Sequence, residues 1–420
     1  MLSWDRPPHF PEISSTALAA AVSGQLDFCQ RAWVEIDLEA LAHNVREMKR
    51  LLAPETALMA VVKADAYGHG AVLVAKTALE NGASWLGVAT IPEGIELRQA
   101  GIQAPILLLG ATNTPEQARA IAHWQLQPTL CTPKQALVFS ETMTALRSQK
   151  QPLPVHIKLD TGMSRLGVRW QEAAEFVQLV SQLSQLRIAS IYSHFATADD
   201  PNPRVLQQQH QRFQSAIDTL AAAQSVPLAA GNFPYRLHVA NSAATLTDSQ
   251  LHYDLVRVGL AIYGLYPAPH LRAKANLKPV MQVKARITQV KTVPAGMGIS
   301  YGHKFVTERP TRLAVVGIGY ADGIPRNLSN QLTAIARDRR VQQVGAITMD
   351  QLMLDISAVP DLEPGEPVVL LGRQGDDAIS ADDWANLLGT ISWEILCGFK
   401  HRLPRVAVGY PLETKAQSAV

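Results

Sequence analysis

The stretch "ALMAVVKADAYGHGA", residues 57–71, opens on a short apolar run, stops on a lysine, and passes into a loop carrying Tyr67, Gly68, His69 and Gly70. A run of that length and composition reads as a buried strand, and a buried strand that ends on an ammonium needs a partner or a task for it. Similar runs recur at 84–89, 105–109, 127–130, 153–159, 187–194, 236–240 and 254–258, making eight with the first. Most are separated by amphipathic helical stretches, such as 114–123, 133–147, 171–184 and 204–223. Ahead of them Leu38, Leu41, Val45, Met48 and Leu52 fall at three- and four-residue steps behind Asp37, which is placed to cap a helix. Eight βα units in about 230 residues predict an α/β fold, a closed (β/α)8 TIM-like barrel. An open doubly wound sheet is the competitor. "GMGISYG" and "GIGYADG" come late and do not fit the GxGxxG turn that would support it.

After about residue 270 the texture changes. "PVMQVKARITQVKTV", "TRLAVVGIGY", "RRVQQVGAIT", "LMLDIS" and "PVVLLG" are strand-like and separated by Gly, Pro and Asp, which predicts a mainly β C-terminal domain. The junction falls in "YPAPHLRAKANLKP". The expected organisation is an N-terminal extension over 1–32, the barrel over 33–270 and the β domain over 271–413.

Composition narrows the function classes. Of 420 residues 47% are apolar, and 38 Lys and Arg against 36 Asp and Glu leave a net charge of +2. Neither a basic nucleic-acid footprint nor an acidic tail follows, so no nucleic-acid partner is expected. The three cysteines, Cys29, Cys131 and Cys397, lie far apart without a CxxC pair. That fits a reducing compartment and offers no metal site. "STALAAAVSG" reads as part of a loose extension rather than a secretory signal, because Asp5 offsets Arg6 and the apolar part is short. Runs such as "APILLLGA" fall far below the ~20 residues needed to span a bilayer, so a cytoplasmic protein without a membrane partner is expected.

In a barrel of this kind functional groups belong at the C-terminal ends of the strands. Lys63 ends the first run, Lys158 and Asp160 end the fifth with Arg165 in the loop beyond, and His194 ends the sixth. Asn241 and Ser242 follow the seventh, and Arg257 with Gly259 close the eighth. The last two loops are the usual phosphate grip of such barrels, although ordinary βα turns would look similar. Lys63 alone could be a snorkelling or ion-paired lysine. Joined to a phosphate grip across the barrel mouth, it points to pyridoxal phosphate, which needs both a Schiff-base lysine and a phosphate site.

"AVVKADAYGHG" resembles the cofactor-lysine signature of bacterial alanine racemases. "KLDTGMSRLG" (158–167), "SHFATAD" (193–199), "ANSAA" (240–244), "VRVGLAIYG" (256–264), "ISYG" (299–302), "GYADG" (319–323) and "TMDQ" (348–351) follow in the family's order and spacing, covering roughly 33 to 410. The resemblance implies that Lys63 carries pyridoxal 5'-phosphate as an aldimine and acts as one catalytic base. Tyr301, contributed by the other subunit of a homodimer, would be the second. It further implies that Tyr67, Ser242, Gly259 and Leu260 contact the phosphate, and that Arg257 faces the pyridine nitrogen. His194 would link Arg257 to the tyrosine. Arg165 would bond the cofactor phenol oxygen and the substrate carboxylate. Met349, beside Asp350, would lie near the substrate and Tyr320 near the entrance. Lys158 matches a lysine that is carbamylated in several members.

The implied activity is interconversion of L- and D-alanine, supplying D-alanine for peptidoglycan. A serine or broad-specificity racemase of the same fold is the alternative. In "CGFKHRLPR", His401 stands where a tyrosine near the phosphate is frequent, which puts that one contact in doubt. A decarboxylase of the same layout would place an acid on the pyridine nitrogen and a cysteine in the β domain, where this chain has Arg257 and Tyr301. A pyridoxal-phosphate carrier would resemble the barrel alone.

Overall fold

The structure, a computed structural model, describes residues 30–146, 151–224, 233–399 and 401–409. The extension is thus outside the described residues up to position 29, the segment "STALAAAVSG" included. Two compact units divide the chain. One is Leu38–Val280 with Ser392–Cys397; the other is Met281–Ile391 with the segments up to Asp37 and from Gly398.

Strand β1 (Ala32–Asp37) precedes the helix Leu38–Arg50. Among the described residues the larger unit then builds eight parallel strands: β2 (Ala57–Val61), β3 (Trp85–Val88), β4 (Ile106–Ala111), β5 (Gln127–Leu130), β6 (Leu153–Asp160), β8 (Leu186–Tyr192), β9 (Arg236–His238) and β10 (Leu255–Val258). The short β7 (Val168–Arg169) pairs with β6 off this path. β10 pairs with β2, so the sheet curls back on itself. Between β9 and β10 the Asp254 N–H donates to Leu237 O at 3.1 Å and the Arg257 N–H to Ala240 O at 3.0 Å. The barrel expected from the sequence is therefore present, and the open sheet is not.

Its helices follow from their apolar stripes. Leu38, Leu41, Val45, Met48 and Leu52, the predicted face, are all buried. The helices Pro115–His123 and Pro133–Ala145 each start on a threonine capping box with proline in the first turn. Barrel strands are covered inside and out, and Val155, His156, Ile157, Lys158 and Leu159 are accordingly all buried.

Among the described residues the smaller unit forms a nine-stranded, mostly antiparallel sheet. Its later strands are β11 (Met281–Val293), β12 (Thr311–Val316), β13 (Thr333–Ala336), β14 (Arg339–Gln343), β15 (Leu352–Asp355), β16 (Pro367–Gln374), β17 (Asp377–Ile379) and β18 (Arg405–Val408). The order is β17-β16-β13-β14-β15-β12-β11-β1-β18, with β16 also on β11. β1 belongs here, although the sequence reading began the barrel at 33: Ala32 pairs with Ala285 and Ile36 with Met281, and Val34 pairs with Arg405.

One local feature positions the chemistry. After β2, residues Ala64, Asp65, Ala66 and Tyr67 all have φ between 52 and 54° and ψ between 41 and 50°, one turn of left-handed helix built without glycine. L-residues pay about 1–2 kcal/mol each for that conformation, so the turn must be held from outside. Glu93 accepts from the Ala64 N–H at 2.8 Å, Asp65 Oδ1 from the Ala71 N–H at 2.7 Å, and Val62 O from the Ala66 N–H at 2.9 Å. Tyr67 packs edge-on to Tyr263, ring centroids 4.9 Å apart, and the Tyr263 hydroxyl donates to Val61 O at 2.8 Å. Ala64 is exposed, so Ala64→Gly should relieve its strain and raise stability by about 0.5–1 kcal/mol in urea unfolding. Ala174→Gly, in the right-handed helix Ala173–Ser181, should lower stability by a similar amount. Equal losses in both variants would contradict the strain.

Candidate active site

A cavity of about 400 Å³ opens in the larger unit at the C-terminal ends of the strands. Lys63, Tyr67, Lys158, Arg165, His194, Ser242, Arg257, Gly259 and Leu260 all line it, so the residues singled out around the barrel meet in one place. Tyr301, Met349, Tyr320 and Asp350 belong to the smaller unit. They are exposed, Tyr301 at 73% and Met349 at 53%. His401 is also in that unit and exposed.

The cavity floor is cationic, with Arg257 and Lys158 both buried. Arg257 is buried in β10 and spends both terminal nitrogens on neutral acceptors. Nη1 donates to His238 Nδ1 at 2.8 Å and to His238 O at 3.3 Å. Nη2 donates to Ser193 O at 2.8 Å, Val239 O at 3.1 Å and His194 Nδ1 at 3.2 Å. Its guanidinium also stands 5.2 Å from the centre of the Tyr192 ring, a cation–π contact. Burial lowers its pKa to about 10, so it remains protonated near neutrality. Because a guanidinium only donates, His194 must present a lone pair at Nδ1. Burial, then Arg257, Lys158, Arg165 and Lys63, hold His194 well below the usual histidine pKa and keep it neutral.

Two lysines share this environment. The Lys63 ammonium is disfavoured by burial and by Arg165, against the opposing pull of Glu93 and Cys397. Lys158 is buried, 5.5 Å from the centre of the Tyr192 ring. Burial, Arg257 and Arg165 bring its pKa to about 8. A lowered lysine pKa makes the neutral, nucleophilic amine accessible. Arg165 sits in a loop shaped by Asp160, whose Oδ1 accepts from the Gly162 N–H at 2.9 Å and the Ser164 N–H at 3.0 Å.

Across the mouth, Ser242 Oγ accepts from the Gly259 N–H at 3.0 Å and from the Ala261 N–H at 3.4 Å, which ties the last two loops together. A Cβ on Gly259 would stand 2.6 Å from the Tyr67 hydroxyl. Only glycine lets that hydroxyl reach the loop.

Several participants went unread in the sequence. Glu93 pins the turn after Lys63 and also accepts from the Ala89 N–H at 2.7 Å. Its signal was the capping box of the helix Ile91–Gln99. Trp393 lines the cavity from a distant part of the chain, and no local pattern announces it. Tyr192 and His238 lie in ordinary strand alternation, and their rings stack at 4.7 Å.

Three histidines whose charged forms are disfavoured, two buried and His194 half-buried, give the stability a pH slope. His156 is held at about 3 by burial and Arg187, and His194 and His238 are also well depressed by burial and Arg257. With folded pKa values below the unfolded ~6.5, the unfolded chain binds protons first as pH falls. Their stabilisation is therefore complete above about pH 6.5 and is lost on acidification, for His156 down to about pH 3. Each should cost up to ~1.4 kcal/mol per pH unit. Urea unfolding between pH 7 and 5.5 should show this decline. A flat profile would mean the histidines are not held neutral in the fold.

Comparison with known proteins places this geometry. The family model "Alanine racemase, N-terminal domain" matches residues 36–267, and "Alanine racemase, C-terminal domain" matches 280–407. The chain is 66% identical over 382 residues to an alanine racemase of Nostoc sp., covering 91% of this chain and 97% of that one. It is 60% identical over 379 residues to that of Synechocystis sp., covering 90% and 99%. Among solved structures, the alanine racemase of Streptomyces lavendulae superposes with a TM-score of 0.83 at 38% identity, covering 91% and 98%. That of Bacillus anthracis, with bound L-Ala-P, gives 0.83 at 35% identity, covering 92% and 98%.

Proposed function

The chain belongs to the alanine racemase family and is an isomerase that interconverts L- and D-alanine; we propose that it works with pyridoxal 5'-phosphate in the barrel cavity, through two bases, as a homodimer. The observation that carries this reading is the meeting of Lys63, Arg257 and the Ser242–Gly259 loops in one cavity of about 400 Å³.

The residues suit that cofactor. Lys63 is the amine to hold it, with a lowered pKa. Ser242, Gly259, Leu260 and Tyr67 form the cup for its phosphate, where glycine permits the close approach an anion needs. Arg165 offers a planar fork for the phenol oxygen and the substrate carboxylate. Arg257, which lines the cavity, would face the ring nitrogen. When bound, the cofactor supplies an electron-withdrawing ring that makes the alanine Cα–H acidic. Arg257 only donates hydrogen bonds and could not accept one from a protonated ring nitrogen, so it would leave that nitrogen unprotonated and limit the electron withdrawal. That favours return of a proton to Cα over transfer of the amino group.

Racemisation needs a proton to leave one face of Cα and another to arrive on the opposite face. Lys63 Nζ serves one face. Tyr301 Oη, from the second subunit, serves the other, assisted by neutral His194. The exposed Tyr301 and Met349 fit a surface that a second copy covers, and Met349 would then border the substrate. Lys158, with its pKa near 8, is suited to carbamylation: the neutral amine adds CO2, releases a proton and gains a carboxylate facing Arg165. No described helix is long and apolar enough to cross a membrane. We place the enzyme in the cytoplasm, where the D-alanine it forms would serve peptidoglycan synthesis.

In D2O, the wild type should exchange the Cα proton of L-alanine and accumulate D-alanine by proton NMR, faster than for L-serine. Lys63→Ala should lose both this exchange and the visible absorbance of the bound cofactor. Tyr301→Phe should still exchange one enantiomer with retention while inversion falls by roughly 100-fold or more. Subunit exchange between the Lys63→Ala and Tyr301→Phe proteins should restore about a quarter of wild-type activity, because half of the dimers then hold one intact shared site. No recovery in exchanged dimers would refute the shared site. Intact Cα protons with wild-type enzyme would refute the racemase reading. With 13C-bicarbonate, a carbamate resonance should appear and be missing in Lys158→Met; its absence from both would remove the carbamate.

A further inference from the structure

The barrel interior beneath the cavity holds a chain of polar side chains for which the two-base reading has no use. From His238, which accepts from Arg257 at 2.8 Å, it continues through Ser190 Oγ, 2.8 Å from His238 Nε2. His156 Nδ1 lies 2.6 Å from that hydroxyl, and His156 Nε2 lies 2.8 Å from Gln127 Oε1. Both imidazoles are 1% exposed and Ser190 is 2% exposed. The five members come from β10, β9, β8, β6 and β5, which are neighbours around the barrel.

One assignment of protons satisfies every link. The guanidinium can only donate, so His238 Nδ1 is a lone pair and its single N–H is on Nε2, donated to Ser190 Oγ. The one hydroxyl proton of Ser190 then goes to His156 Nδ1, and the His156 Nε2–H goes to Gln127 Oε1. A second proton on His238 would face the guanidinium and break the first link. The chain starts on a group that does not release its proton and ends on an amide. It therefore transmits orientation, not protons.

The five bonds made by the Arg257 terminal nitrogens leave Nε–H as the donor they do not use. We propose that His238, backed by Ser190, His156 and Gln127, is a positioning residue for Arg257. It draws the Nη1 arm inward and so reserves Nε–H for the ring nitrogen of the cofactor. This rests on the reading of Arg257 as the partner of that nitrogen. Plain satisfaction of buried polar groups is the competing account, and it asks only that the links exist.

The test uses the full-length protein labelled with 15N-histidine, with and without cofactor, alongside Ser190→Ala, His238→Leu, His238→Asn and Arg257→Lys. Long-range 1H–15N spectra should show His238 and His156 neutral, protonated at Nε2, in both forms of the wild type. Ser190→Ala removes one small group and should fold. It should shift the visible absorbance of the bound cofactor and lower kcat between about 10- and 100-fold with little change in the KM for alanine. His238→Leu should do the same, and His238→Asn, which keeps an acceptor near Nδ1, should recover part of the loss. A proton on His238 Nδ1 would overturn the proposal. So would wild-type kcat and absorbance in Ser190→Ala and His238→Leu while Arg257→Lys alters both. If Arg257→Lys itself alters neither, the reading of Arg257 fails first and takes the proposal with it.

Discussion

A cation buried without a carboxylate beside it governs the cavity. Arg257 is 4% exposed, and every partner it bonds is neutral: three backbone carbonyls and two imidazole nitrogens. A carboxylate would offset more of the desolvation cost, but it would also cancel the charge that a ligand could use. Carbonyls and lone pairs satisfy the N–H groups and leave the positive field intact. The neutrality of His194 and His238 follows, since Nδ1 of each must keep its lone pair for the guanidinium and a second proton there would set two cations in contact. Tyr192 contributes the face of its ring in the same sense, 5.2 Å from Arg257 and 5.5 Å from the Lys158 amine.

The strand ends supply the site, and the turn after Lys63 supplies its precision. Four residues in the left-handed region move the chain through a compact turn, so Lys63 and Tyr67 both line the cavity. The conformation is costly for Ala, Asp and Tyr alike, and it persists because Glu93, Asp65 and the Tyr263 ring over-determine it. Strain of this kind fits a lysine that must sit at a fixed point and not sweep through its rotamers.

Much of this was legible in the sequence, and the reasons differ by feature. Eight apolar runs separated by helical periodicity gave the barrel, because a parallel strand covered on both faces leaves a continuous apolar signature. The polar residues at the run ends gave most of the cavity wall by the same logic. The left-handed turn was hidden because "ADAY" contains no glycine to flag a positive φ. The barrel was begun at residue 33, ahead of the first helix, whereas β1 pairs with strands some 250 and 370 residues away, β11 and β18, which no local pattern reveals. The His238–Ser190–His156 chain was invisible for a related reason. Strand alternation in "VHIKLD" sets His156 and Lys158 on one face, but no single strand says which residue of the next strand sits opposite.

The crowding of positive charge at the cavity has a consequence for binding. Lys63, Lys158, Arg165 and Arg257 all line one space, and burial together with neighbouring cations depresses both lysines. Each charge kept there is work against desolvation and mutual repulsion. An anionic occupant would lower that work for all four at once, so its attraction to the cavity would not be set by any single contact. By linkage the same occupant must raise the proton affinity of the lysines it neighbours, and their proton affinity must in turn report on it. A ligand with two separated negative groups, a phosphate held by the loops at Ser242 and Gly259 and a carboxylate near Arg165, would relieve the repulsion at both ends of the cavity. The charge pattern thus selects for the kind of ligand that the geometry can grip.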